Sequence, residues 1–183
     1  ILKSDRTVEV QIQDLAHGVV KGITVQMPGE GMVEREEYYE WAPTGLAALF
    51  QTNTVAGGVL VSKPHPPRFE KAETHIDAEM FYFRRGTALM LFVDLDRETP
   101  LMHTAQIVRV QPGTQMVVPP GKGHYVPVPE RQEPLEIIVV APKMGDILIP
   151  LPEPVVGVAL KIPRTFIFPL TLPFLVFALT ARL

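Results

Sequence analysis

The chain has 183 residues, with 17 Lys and Arg against 20 Asp and Glu, 46% hydrophobic residues, 19 prolines and no cysteine. That length supports one domain with a proper core, and the missing cysteine excludes disulfide scaffolds, thiolate zinc sites and cysteine nucleophiles. The formal net charge of −3, with acids and bases interspersed, lacks the basic stripe needed to track a phosphate backbone, so nucleic acid is not an expected partner.

Proline removes a backbone donor and clashes with a continuing helix, so a chain this rich in Pro, with Val, Ile and Thr prominent, points to short strands and turns. The N-terminal stretch carries acids and no long apolar core; no signal peptide is expected, and a cytoplasmic location is. VEVQIQ (Val8 to Gln13) alternates as a half-buried strand does. GVVKGITVQMPGEG predicts a strand ending in a turn at Pro28-Gly29. EREEYYEW (Glu34 to Trp41) suits a helical turn or an exposed strand, and its Tyr38, Tyr39 and Trp41 suit packing or a subunit contact. LAALFQTN (Leu46 to Asn53) and GGVLVSKP (Gly57 to Pro64) read as strands, the second closed by Pro64, Pro66 and Pro67. EMFYFRRGTALMLFVDL reads as a hairpin, with Glu79 to Phe83, a turn at Arg85-Gly86, then Ala88 to Leu95. AQIVRVQPGTQMVVPPGKGHYVPV repeats the strand, Pro-Gly turn, strand pattern, and PLEIIVVAP (Pro134 to Pro142) adds a buried strand. These elements predict an all-β barrel or sandwich.

No repeat or boundary precedes about Pro150, so the expected organisation is one β-barrel domain over 1–146. Residues 147–183 form an expected apolar, Pro-rich arm packed on the barrel or on a partner subunit. Between Ile147 and Leu183 the only charges are Glu153, Lys161, Arg164 and Arg182, and Thr165 to Thr180 has none. That run is shorter than the roughly 20 apolar residues of a transmembrane helix and is broken by Pro169 and Pro173, so no membrane span is expected. Barrels leave sheet edges and an apolar outer face, which predicts a homodimer.

Of the five histidines, His17, His65 and His103 sit in ordinary surroundings and receive no role. His75 lies in AETHIDAEMFYFRRG, where residues two apart on a strand share a face, so Glu73 and His75 project together and Glu79 follows with the same parity. His124 follows the tight segment PPGKG, whose prolines and glycines impose a defined backbone. Two histidines and two carboxylates suit a divalent ion such as Mn, Fe, Ni or Zn, with positions open for a small-molecule substrate.

The two segments resemble the cupin motifs, G-x5-H-x-H-x3-E-x6-G and G-x5-P-x-G-x2-H. Gly113, Pro119, Gly121 and His124 match the second; His75, Glu79 and Gly86 match the first, with Glu73 in place of its first histidine and Pro67 in place of its leading glycine. The E-x-H opening, the Phe-rich strand after it and the histidine closing the second motif resemble the ureidoglycolate lyase family of cupins over roughly residues 18–142. Glu79 stands where that family has glutamine, and Tyr125 where it tends to have a second histidine.

The resemblance implies a cupin-type double-stranded β-helix, or jelly-roll barrel, with Glu73, His75, Glu79 and His124 at its mouth holding a divalent metal ion. It implies a lyase that releases urea from ureidoglycolate or a related small hydroxy-acid, leaving glyoxylate, with Glu79 or His124 handling the proton. Tyr82, Arg84 and Lys122, beside the motifs, are the candidate substrate-binding residues, an inward arginine being able to clamp a carboxylate. Because cupin barrels host many chemistries, a sugar isomerase, an Fe-dependent dioxygenase and a non-catalytic metabolite-binding module stand as alternatives.

Overall fold

The computed structural model describes residues 6–31, 33–42, 44–46, 50–51, 54–143 and 145–159. The chain begins with β1 (Val8–Asp14) and β2 (Thr24–Gln26), then the short pair β3 (Glu34–Arg35) and β4 (Glu40–Trp41). Next come β5 (Val55–Ser62), β6 (Arg68–Thr74), β7 (Glu79–Arg85) and β8 (Ala88–Val93). After β9 (Leu95–Asp96) and β10 (Thr99–Pro100), a 3-10 turn at Met102–Thr104 leads to β11 (Gln106–Val110) and β12 (Gln115–Val118). The last elements are β13 (Gly123–His124), β14 (Val128–Pro129), β15 (Leu135–Pro142) and β16 (Ile147–Val158).

Two sheets dominate this all-β jelly-roll barrel. The larger has seven strands in the order β11-β1-β16-β6-β13-β8-β14, and a further β11–β8 pairing turns that order back on itself. The smaller has five strands, β2-β12-β7-β15-β5. β8 explains how they share a core. Its sequence ALMLFV is apolar throughout because both faces are covered. Ala88, Met90 and Phe92 point between the sheets, into a core with Phe81, Phe83, Met116 and Ile137. Leu89, Leu91 and Val93 point the other way, onto Ile12, Phe69, Ile107 and Val155. Burying each of the larger side chains contributes about 1.5–3 kcal/mol.

Three expectations need correction. Glu79–Phe83 and Ala88–Leu95 do not form a hairpin: β7 pairs with β12 and β15, whereas β8 pairs with β11, β13 and β14. The turn at Gly86 carries the chain from one sheet to the other. Its φ of +81° suits glycine, and a Cβ there would lie 2.9 Å from Leu135 Cδ2. Secondly, Ile147–Val158 is no arm, since β16 lies inside the seven-stranded sheet, parallel to β1 and antiparallel to β6. The barrel therefore extends past the expected boundary at 146, and residues 160–183, including Thr165 to Thr180, lie outside the described residues. Thirdly, Leu46, Phe50 and Gln51, from the expected strand Leu46 to Asn53, lie outside the strands; 47–49, 52 and 53 are not among the described residues. Glu34 to Trp41 takes the strand option, with Arg35 Nε donating to Glu40 Oε1 at 2.9 Å across β3 and β4.

Candidate metal centre

Strand pairing assembles the cluster. Glu73 lies near the end of β6 and His75 follows its last residue, Thr74, so the two emerge together where the strand gives way to a loop. β13 runs antiparallel to β6 with His124 opposite Glu73, which places those side chains on the same face. Glu79 opens β7 after the tight loop that follows His75.

The loop before β13 is built to deliver His124. Gly121 has a φ of +79°, and its N–H donates to the His75 carbonyl at 3.3 Å, tying the second motif's backbone to the first. Lys122 N–H closes the turn onto the Pro119 carbonyl at 3.3 Å. At Gly123 a Cβ would sit 2.8 Å from both the carbonyl oxygen and Cγ1 of Val93, so only glycine lets β13 lie this close to β8.

Glu73, His75, Glu79 and His124 bring their ligand atoms within 4.8 Å of one another. Glu79 Oε2 lies 2.7 Å from His124 Nε2 and 2.9 Å from His75 Nε2. Ligand atoms that share one ion at about 2.1 Å stand roughly 3–4.2 Å apart, so the set would need only small shifts to hold a divalent ion, the Glu79–His contacts opening and the widest separations closing. His124, Glu79 and His75 are 1%, 7% and 6% exposed.

The histidines satisfy a stricter test. Nδ1 of His124 donates to the Lys122 carbonyl at 3.0 Å, which turns Nε2 to the cluster. Nδ1 of His75 donates to Asp146 Oδ1 at 3.1 Å, with the same consequence. Anchoring the outer nitrogen in this way is how proteins orient histidine ligands. Despite its short approach to Glu79, the buried His75 Nε2 has no hydrogen bond of acceptable geometry, the condition of a nitrogen shaped for a different partner. The residues thus fit a divalent ion.

Electrostatics agree. Burial works against the Glu79 carboxylate, but the imidazoles of His124 and His75 outweigh it and hold its pKa down at about 2. Burial also opposes charging His75, yet Glu79, Glu73 and Asp146 together raise its pKa. Desolvation raises that of Glu73. One buried and one half-buried carboxylate against two imidazoles make a site that a cation would complete.

A cavity of about 380 Å³ opens onto this cluster. Glu73 and Glu79 line it together with Ala56, Gly57 and Gly58 of β5 and with Phe81 and Val139 of the core.

The expected substrate-binding residues do not join it. Tyr82 and Arg84 have the opposite parity to Glu79 on β7, so alternation turns them to the outer face, where Arg84 pairs with Glu136 at 2.8 Å. Lys122 is buried, but its Nζ is committed to Asp94 Oδ1 at 2.5 Å. Of the other histidines, His17 pairs with exposed Glu30 at 2.8 Å, and His65 Nδ1 lies 2.7 Å from the Pro66 carbonyl, so neither enters the cluster. Tyr125 turns away from His124 and lies under Lys71, whose Nζ is 5.2 Å from the ring centre. Asp146 and the small residues of β5 were not identified from sequence. An aspartate before a strand and glycines within one carry no distinctive signal until the fold brings them to the site.

No protein-family model matches the chain, and no curated protein is significantly similar to it. Among solved structures it is similar to Bacillus subtilis oxalate decarboxylase. A structure at pH 4.6 and one concerned with the Mn(II) centres of that protein each align over 54% of this chain at 22% identity and a TM-score of 0.40. The chain spans about a quarter of that protein's length, 24%. The fold of this chain rests on its own strand pairings and the site on its own geometry, and both agree with the cupin reading of the two motifs. Among the described residues no helix is long and apolar enough to cross a membrane.

Proposed function

We propose that this chain is a metal-dependent cupin enzyme whose small substrate bonds the ion through oxygen. The observation that carries the reading is the convergence of two anchored imidazole Nε2 atoms on one Glu79 oxygen, with Glu73 beside them at the cavity. Glu73, His75, Glu79 and His124 would hold the ion. When bound, such an ion would polarise a substrate oxygen and lower the cost of removing its proton. The chain's own share is to exclude water with Phe81 and Val139, to orient the histidines through Lys122 and Asp146, and to offer a carboxylate as proton acceptor.

The E-x-H resemblance supports a specific version, a carbon-nitrogen lyase acting on ureidoglycolate. In that reaction a group of the cluster, Glu79 or His124, takes the hydroxyl proton, the C–N bond breaks, urea leaves with a proton on its nitrogen, and the hydroxyl carbon becomes the aldehyde of glyoxylate. Elemental analysis with a glyoxylate assay tests both levels. Divalent metal in the purified protein, lost together with activity in His75→Ala and His124→Ala, is expected. Metal without glyoxylate release would end the lyase version in favour of another cupin chemistry, and stoichiometric metal in both variants would refute the site. A homodimer also belongs to this reading. The edge strand β5 exposes Val59 and Val61 at 60% and 58%, beside Ile138 and Tyr82 on the same sheet, which supports a covered face. A monomer in sedimentation would count against it.

A further inference from the structure

We infer that the ligand of the four-residue centre has an apolar body, carries at most one negative charge and bonds the ion through two oxygens; this rests on the metal reading above. Apart from Glu73 and Glu79, the described residues lining the cavity are apolar, and the side chains that form its wall are those of Ala56, Leu60, Phe81, Val126, Val139 and Ala141. The space itself is made by missing side chains. Across the five-stranded sheet Gly58 stands opposite Val139, which stands opposite Phe81, and that row faces inward. A Cβ on Gly58 would meet nothing within 4 Å. One step along the same face, Ala56 faces Ala141, while on the other side Leu60 faces Ile137. Side chains on β5 therefore shrink from leucine to glycine and alanine where the strand passes the cluster. A cavity of about 380 Å³ accommodates roughly a dozen heavy atoms at about 30 Å³ each.

Charge sets the second half of the class. A divalent ion and two carboxylates sum to zero, with neutral imidazoles as the remaining ligands. The described lining holds no lysine or arginine, since Lys122 is bound to Asp94 and Arg84 to Glu136 outside the cavity. A dianion would bring its second charge to an open, apolar wall whose described residues carry no cation to pair with it. With one ligand atom from each of the four residues, an ion that prefers six ligands would have two positions left, which a two-oxygen chelator would fill. A urea group would find no polar side chain among the described residues of this wall, so such a ligand keeps the metal reading and departs from the ureidoglycolate version of it.

The test uses the full chain titrated with Mn2+ and then with two chelators, benzoylacetone as the apolar monoanionic probe and oxalate as the compact dianion. Affinities are measured calorimetrically and referred to those for free Mn2+. Benzoylacetone should gain at least about tenfold over oxalate from the protein. Gly58→Leu, which fills the cavity, should remove that gain while Mn2+ binding and oxalate affinity stay within about twofold. Gly58→Val serves as the milder variant, with retained Mn2+ binding reporting that either has folded. An equal or greater gain for oxalate, failure of both chelators to bind, or benzoylacetone binding unchanged in both variants would overturn the inference. Failure of the wild-type protein to bind Mn2+ would instead overturn the metal reading on which it rests.

Discussion

Asp146 orients His75 from a strand terminus far along the sequence, so the centre depends on a contact made only by the folded chain. Losing such an outer partner typically lowers metal affinity 10–100-fold. Because the Asp146 side chain is 64% exposed, Asp146→Ala should sit near the lower end, about tenfold, in competition with a chelating dye. Unchanged affinity would show that the His75 ring is held by its packing alone. Proton linkage supplies a second prediction at this scale. Glu79 ionises far below its ordinary value near 4.5, so its contribution to stability is complete above that value and is lost as the pH falls towards 2. His75 is shifted up from about 6.5, so its contribution is complete below that value and lost as the pH rises through the raised one. Metal-free protein should therefore gain most from this pair between about pH 4.5 and 6.5. Thermal melts across pH 3–9 should show that advantage over Glu79→Gln shrinking on both sides of the window; a constant difference would contradict it.

At the level of elements, the two motifs act as one device, because the turn carrying Pro119 and Gly121 hydrogen-bonds to the backbone of His75 and β13 pairs directly with β6. Much of this was legible. The Glu73–His75 spacing was readable at the end of β6 and the turn glycines announce themselves by type, whereas Glu79 reaches the cluster from β7 of the other sheet, across a loop that breaks the period. Sheet membership was not legible for β7 and β8, since a glycine turn between two apolar strands reads alike whether it closes a hairpin or crosses between sheets. That ambiguity reached the substrate-binding residues, for parity on β7 assigns Tyr82 and Arg84 to the face opposite Glu79. Gly123, outside the matched motif positions, is where the element is most constrained. Gly123→Ala forces a carbon to within 2.8 Å of the Val93 backbone and should cost about 1–3 kcal/mol in denaturant unfolding while weakening metal binding. Wild-type stability in that variant would show that β13 can shift freely.

For the molecule as a whole, β16 carries the barrel past residue 146. It bridges β1 and β6, and its Ile149, Leu151 and Val155 are buried. A chain ending at Gly145 should lose cooperative unfolding by circular dichroism, whereas one ending at Ala159 should retain it. A cooperative melt in the shorter chain would restore the expected boundary. Composition by itself determined the all-β class and excluded cysteine chemistry, and local spacing selected the four ligand candidates, because proline content, side-chain alternation and turn residues act over a few positions. Only the tertiary structure decided which strands share a sheet, that Ile147–Val158 is inside the barrel, that Asp146 holds His75 and that β5 supplies an apolar wall. Those facts rest on pairings between segments distant along the chain, and apolar runs alone do not specify which distant partner each will bury itself against.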